Sequence, residues 1–241
     1  MNIIVDDKKQ IESLVAEEII NCIAQNNKAT LGLATGETFI NIYRLLVKEY
    51  KNGKVDFSNI KTFNLDEYIG IDELNHNSYH FYMKELLFNH INIDCNNTHI
   101  PRTSINFDES IGIYNRLLKK HPRDIQLLGI GRNGHIGFNE PDTPFDSKTH
   151  KIKLSEESRH DNSRFFSSLS EVPTHAITMG IKNIMNAKKI ILIAMGDAKA
   201  EIVNDLINGD ISEKCPASIL KTHPNVTIYL DSKSSNKYRN A

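Results

Sequence analysis

Two rhythms of hydrophobic and polar residues share the chain: short apolar runs, and longer stretches in which apolar residues return every three or four positions. Residues 2 to 5 read as a strand, and Asp7 with Gln10 forms a capping pair before a helix that carries Ile11, Leu14, Val15, Ile19 and Ile23 at helical spacing. A second strand, Ala29 to Leu33, precedes a helix with Ile40, Tyr43, Leu46, Val47 and Tyr50 on its inner face. Residues 59 to 63 make a third strand, while Ser78 to Phe88 and Glu109 to Lys120 have the helical period. Ile125 to Leu128 is a strand, Thr149 to Leu154 an edge strand, and Glu156 to Phe166 helical. His175 to Met179, Ile190 to Ala194 and Val226 to Leu230 are β-like, the last two apolar enough to be buried on both faces. Asp197 is expected to cap a helix through Ile207, and Cys215-Pro216 to open a shorter one. Strands alternating with helices imply an α/β fold with a mostly parallel sheet and helices on both faces. No repeat, low-complexity tract or linker divides the sequence, so a single domain over residues 1–241 is expected.

In such a sheet the loops after the carboxyl ends of the strands gather on one edge, where ligands bind. Three polar loops fall there. GIGRNGHIGFNEP, residues 129 to 141, holds four of the chain's twelve glycines (Gly129, Gly131, Gly134, Gly137) around His135, Glu140, Asn133 and Asn139. Histidine changes charge near neutral pH, and a carboxylate on one ring nitrogen fixes its tautomer and raises its basicity. ATGET, residues 34 to 38, offers Gly36 backbone and the Thr35 and Thr38 hydroxyls at a helix N-terminus, which suits either an ordinary Thr N-cap or a phosphate. NLDEY, residues 64 to 68, places Asp66 and Glu67 side by side; on extended backbone only one of them faces the cleft. GDAK adds Lys199, close enough in sequence to a buried strand to reach the same edge and neutralise an anion. An acid, a base and an anion site suit proton transfer on a phosphorylated small molecule.

Composition narrows the alternatives. Lys plus Arg number 29 against 30 Asp plus Glu, so a net charge of −1 leaves no electrostatic footprint for nucleic acid or a membrane surface. Cys22, Cys95 and Cys215 are few, odd in number and scattered, which argues against a disulfide framework and fits a reducing cytoplasm. The start of the chain lacks a basic segment followed by an apolar run, and the longest apolar run, Ile190 to Met195, is too short to span a bilayer. His76 and His80 could share a helical face as metal ligands do, but no third ligand accompanies them, and no GxSxG or cysteine beside the central loop supplies a nucleophile.

LGLATGET, TFNLDEYIG, NSYHFYM, LLGIGRNGHIGFNEP, NSRFF and GDAK, in this order, resemble the glucosamine-6-phosphate deaminase family over nearly the whole chain. The resemblance implies a modified Rossmann-like fold and conversion of glucosamine 6-phosphate to fructose 6-phosphate and ammonia without metal or organic cofactor. It implies that Asp66 moves a proton between the second and first carbons, that His135 assists ring opening with Glu140 as its carboxylate partner, and that Thr35, Gly36, Thr38, Arg164 and Lys199 contact phosphate and sugar. A lid is expected over residues 142 to 170.

Two positions depart from many members: Asn133 stands where some have Asp, which bears on activation of the histidine, and Glu37 where many have Gly, which bears on phosphate affinity. Lactonases of the same fold share a glycine-and-histidine loop but do not need Asp66 or Glu140, and sugar-phosphate sensors carry a DNA-binding segment for which this chain has no spare residues or basic patch. Hexameric relatives bind an activating N-acetyl sugar phosphate through basic residues after the NEP motif and a C-terminal extension. Here His150 and Ile152 occupy those positions and the chain runs only to Ala241, so a monomer or small oligomer with hyperbolic kinetics is expected.

Overall fold

The computed structural model describes residues 1–239; Asn240 and Ala241, included in the expected domain, lie outside the described residues. In chain order the elements are β1 (Asn2–Val5), α1 (Lys8–Gln25), β2 (Thr30–Leu33), α2 (Glu37–Lys51), β3 (Lys61–Asn64), β4 (Asp66–Tyr68), α3 (Tyr79–Leu86), β5 (Thr98–His99) and α4 (Phe107–Lys120). They continue with β6 (Ile125–Gly129), β7 (His150–Lys153), α5 (Glu156–Asn162), β8 (His175–Thr178), α6 (Ile181–Met185), β9 (Lys189–Ala194), α7 (Ala200–Asn208), β10 (Val226–Leu230) and α8 (Asn236–Arg239).

Seven strands form one sheet in the order β1-β10-β9-β6-β2-β3-β5, and every pairing in it is parallel. Parallel strands are covered on both faces, which is why β9 and β10 are rich in Ile, Leu and Val and are buried from Ile190 to Ala194 and from Val226 to Leu230. Each such side chain contributes about 1.5–3 kcal/mol on burial. On α1, Ile11, Val15, Ile19 and Ile23 recur every fourth residue and are buried against the sheet, Leu14 lies partly buried beside them, and Asp7 Oδ1 accepts the Gln10 amide at 3.0 Å. The inner face of α2 is rotated from the expected one. Phe39 and Ile42 are buried with Tyr43 and Leu46, whereas Ile40, Val47 and Tyr50 are half-buried.

NLDEY is not a loop. β4 follows β3 after Leu65 alone and runs antiparallel to β8, with Asp66 opposite Thr178 and Tyr68 opposite Ala176; β7 covers the other side of β8 as an edge strand. In β7, His150 and Ile152 are half-buried while Lys151 and Lys153 are exposed, the alternation expected of a strand with one covered face. A second apolar cluster of Tyr68, Phe138, Leu154 and Ala176, with Tyr79, Ile152 and Phe166 against it, fills the space beneath this small sheet. Four neighbouring strands of the large sheet, β9, β6, β2 and β3, end at one edge, and their loops meet β4 there.

Candidate active site

A cavity of about 710 Å³ opens at that edge, and Thr35, Gly36, Thr38, Asp66, His135, Arg164 and Lys199 all line it. Asn133 and Glu140 are not part of its wall; they stand behind His135. The three polar segments expected to share one crevice therefore do so, and Lys199 of GDAK joins them.

One corner gathers positive charge and free amides. Gly36 has φ +104, a conformation that L side chains rarely adopt, and it begins α2 with no side chain capping the helix. The Phe39 amide bonds back to the Gly36 carbonyl at 3.1 Å and no side chain caps the amides before it, so the Thr N-cap alternative is not what is observed. The Tyr82 hydroxyl fixes the turn by donating to the Gly36 carbonyl at 2.7 Å. The loop after β9 repeats the design with Gly196 at φ +92, ahead of a 3-10 turn over Asp197–Lys199; Asp197 does not cap a helix as expected. Burial pushes the Lys199 ammonium down, with Arg132 and Arg164 contributing repulsion. Arg164 Nη1 lies 3.1 Å from Glu37 Oε2, and Arg132 Nη2 pairs with Asp161 Oδ1 at 2.5 Å.

On the loop after β6, Glu140 is a hub. Asn133 Nδ2 donates to its Oε2 at 2.9 Å, and the Ser155 and Ser158 hydroxyls donate to its Oε1. His135 Nδ1 lies 3.7 Å from Oε2, longer than a hydrogen bond, and 3.4 Å from Ser158 Oγ. Ser158 spends its single proton on Glu140, so toward His135 both neighbours are acceptors. The neutral ring therefore keeps its proton on Nδ1 and leaves Nε2 as the basic nitrogen. Burial alone would raise the Glu140 carboxyl, but His135, Ser158 and Asn133 outweigh it and hold it at about 2. Asn133 also steadies the loop itself, because its Oδ1 accepts the His135 backbone amide at 3.2 Å. Gly131 leaves the room for the ring, since a Cβ there would lie 2.3 Å from His135.

Asp66 is the opposite kind of carboxyl. It is 6 % exposed, and burial first, then the charge of Glu67, push it up to about 8. Its neighbour faces away from the cavity, as the strand period requires. Glu67 accepts the amides of Tyr68, Tyr79 and His80 at 2.8, 3.1 and 3.0 Å and meets His80 Nδ1 at 2.8 Å. This corrects the idea of His76 and His80 as a helical pair: α3 begins at Tyr79, behind the Ser78 N-cap, so His76 precedes the helix. Among the described residues no group of three or more His, Cys, Asp or Glu is placed to hold a metal ion.

Sequence reasoning passed over Ser155, Ser158, Tyr79, Tyr82 and Arg132. Ser155 carried a signal, because a serine before a helical stretch marks an N-cap, and it does accept the Ser158 amide at 3.1 Å. Nothing local pointed either serine at Glu140.

The chain matches the family model described as glucosamine-6-phosphate isomerases/6-phosphogluconolactonase over residues 7–229. It belongs to that family. Within it the chain is 48% identical over 229 residues to a glucosamine-6-phosphate deaminase of Oceanobacillus iheyensis, covering 94% of this chain and 91% of that protein. A glucosamine-6-phosphate deaminase of Clostridium botulinum (strain Langeland) is 46% identical over 239 residues, with 98% of both chains covered. Among solved structures, a monomeric glucosamine-6-phosphate deaminase superposes with a TM-score of 0.96 at 40% identity, covering 98% of this chain and all (100%) of that one. The family's other branch shares the fold: the 6-phosphogluconolactonase of Trypanosoma brucei gives a TM-score of 0.77 at 19% identity over 98% of this chain and 97% of its own. Both the α/β class and the Rossmann-like parallel sheet expected from the sequence are thereby borne out.

Proposed function

We propose that this chain is a glucosamine-6-phosphate deaminase: glucosamine 6-phosphate and water become fructose 6-phosphate and ammonia. The observation that carries the reading is a division of labour in one cavity, with a buried, raised carboxyl at Asp66 and a separate imidazole anchored on the anionic Glu140. A lactonase needs the second and not the first.

The substrate's phosphate sits on the N-terminal amides of α2 and the Thr35 and Thr38 hydroxyls, with Arg164 and Lys199 as counter-charges. His135 Nε2 takes the proton of the first-carbon hydroxyl and returns one to the ring oxygen, which opens the pyranose. The imidazolium formed in passing is stabilised by Glu140. The second carbon's hydrogen is then acidic beside the aldehyde, and ionised Asp66 removes it. A carboxylate pushed up to about 8 is a stronger base than an exposed one, and the substrate's 2-ammonium group, once bound nearby, favours the ionised form. Asp66 returns the proton to the first carbon, the enolamine becomes a ketimine at the second, and water releases ammonia. "Hydrolase" describes only that last step; the earlier ones are isomerisation.

The same reading takes residues 1–241 as a single domain and residues 142–170 as the cover, of which His160 to Asn162 and Arg164 to Phe166 face the cavity. It has no place for nucleic acid or membrane, and no helix among the described residues is long and apolar enough to cross a bilayer. Free Cys22, Cys95 and Cys215 support a cytoplasmic setting. The likeness to a monomeric deaminase, and the half-buried His150 and Ile152 where activated relatives place basic groups, support a monomer or small oligomer.

Purified protein incubated with glucosamine 6-phosphate should release ammonia and fructose 6-phosphate in equal amounts. Release of neither, with hydrolysis of 6-phosphogluconolactone instead, would transfer the chain to the lactonase branch.

A further inference from the structure

Glu67 is 1 % exposed, accepts four hydrogen bonds and takes no part in the chemistry proposed above. Buried charge is costly unless it is fully satisfied, and here both oxygens are. Oε1 holds the Tyr68 and Tyr79 amides, Oε2 the His80 amide and Nδ1. Three of these donors belong to the first turn of α3, whose Tyr79 and Tyr82 line the cavity and whose Tyr82 in turn fixes the Gly36 turn. The strand that carries Asp66 has only three residues and pairs on one side only, with β8. Its second anchor is Glu67.

We propose that Glu67 is a positioning residue: it pins the Asp66 strand to the start of α3 and sets a negative charge next to the proton-carrying carboxyl, with His80 Nδ1 among its hydrogen-bond partners. The inference rests on Asp66 being the proton carrier. The other ionisable groups facing this pair are the Tyr68 and Tyr79 phenols, the Tyr114 phenol of α4 toward Asp66, and Glu73, whose Oε1 lies 3.9 Å from His80 Nε2. None of the phenols ionises below about pH 10, so the charge that adds to burial in raising Asp66 is that of Glu67.

The test is Glu67→Gln, with Glu67→Asp and His80→Asn beside it, each checked for native circular dichroism. The Asp66 carboxyl carbon is titrated by ¹³C NMR and the pH profile of kcat recorded. In Glu67→Gln the Asp66 midpoint should fall by about one pH unit or more, and the acid limb of the activity should move with it. Glu67→Asp should keep the midpoint while losing turnover, because the charge remains and the anchor is short. In His80→Asn the midpoint should stay raised. A folded Glu67→Gln protein whose Asp66 midpoint and acid limb both match the wild type would overturn the proposal. The titration needs no turnover, so a wild type inactive toward glucosamine 6-phosphate would refute the functional reading and leave this result legible.

Discussion

Glu37, the first residue of α2, and Arg164, just beyond α5, meet at 3.1 Å with both side chains more than half exposed. A carboxylate thus occupies the guanidinium that the proposed function assigns to the substrate's phosphate. On the proposed function the departure at Glu37 amounts to competition, in which a bound phosphate would take Arg164 from Glu37. Exposed pairs of this kind are worth little, so the effect is modest. Glu37→Gly should lower KM for the sugar phosphate about two- to fivefold at low ionic strength, with the gap closing in salt. Initial-rate kinetics at two salt concentrations decide; a KM that rises in the variant would mean the pair holds Arg164 in place for the substrate.

Asp66→Asn should bind fructose 6-phosphate yet lose about 10²–10⁴-fold in turnover, together with solvent hydrogen exchange at the carbon skeleton. Exchange at the wild-type rate would remove Asp66 from the chemistry. In the wild type kcat/KM should rise through about pH 8, where free Asp66 ionises, while the limb of kcat lies lower because the bound ammonium stabilises the carboxylate.

The same carboxyl links activity to stability. Its folded value, about 8, is raised above the ordinary 3.8 of an aspartate, so the stability tied to its protonated form is complete below about pH 4 and lost as pH rises through 8. Asp66→Asn should therefore melt higher than the wild type at about pH 9 and much closer to it at about pH 4. Scanning calorimetry at the two values gives the answer; equal differences at both would contradict a buried, raised Asp66.

Glu140 behaves in the reverse sense. Held at about 2 against the ordinary 4.5 of a glutamate, it contributes stability above pH 4.5 that disappears as pH falls toward 2. Glu140→Gln should flatten acid unfolding across that window and reduce turnover about 10²-fold or more, since an amide nitrogen facing Nδ1 cannot lock the tautomer. Asn133→Asp replaces a donor 2.9 Å from Glu140 with a second carboxylate, and the added charge should shift the pH–rate profile. Identical pH–rate profiles in both variants would reduce this loop to scaffolding.

Gly131→Ala probes the space around the imidazole. The added methyl would lie 2.3 Å from the His135 ring, which must move. We expect turnover to fall at least as far as in His135→Gln while phosphate binding, measured calorimetrically with inorganic phosphate, is retained. Full activity in the alanine variant would show that His135 need not sit where it does.

Light scattering and substrate curves address assembly. A monomer or small oligomer with hyperbolic curves, unmoved by N-acetylglucosamine 6-phosphate, is expected; a hexamer whose sigmoidal curves that effector straightens would contradict it.

Much of the fold and site was legible because its signals are local. Apolar runs such as Ile190 to Ala194 and the capping of α1 by Asp7 depend on near neighbours, and glycine turns after strands announce a ligand edge in any parallel sheet. What stayed hidden is non-local. β4 is three residues long and exists because β8, about 110 positions on, pairs with it, so Asp66 and Glu67 read as a polar loop. Ser158 reaches Glu140 across 18 residues, and a hydroxyl at a helix start looks the same whether or not it serves a carboxylate. The rotation of α2 was hidden too, since Phe39, Ile40, Ile42, Leu45, Leu46 and Val47 put apolar residues on more than one face and only packing on the sheet selects among them.

The outermost pairing of the large sheet carries a consequence for synthesis. β1 lies against β10 in register, Asn2 beside Thr227 and Val5 beside Leu230, so a strand made early is completed by one made more than 200 residues later. Contacts this far apart in sequence are slow to close, and a strand edge left open invites the wrong neighbour. While a ribosome is still making the chain, β1 has no partner, and β9 lacks the strand that covers its outer edge. The loop that offers Lys199 hangs from β9, and Asp231, just past β10, accepts the Gly196 amide that shapes it. A nascent chain should thus order the Lys199 loop only once β10 and Asp231 have been made, and fragments ending before Val226 should be the ones that chaperones hold.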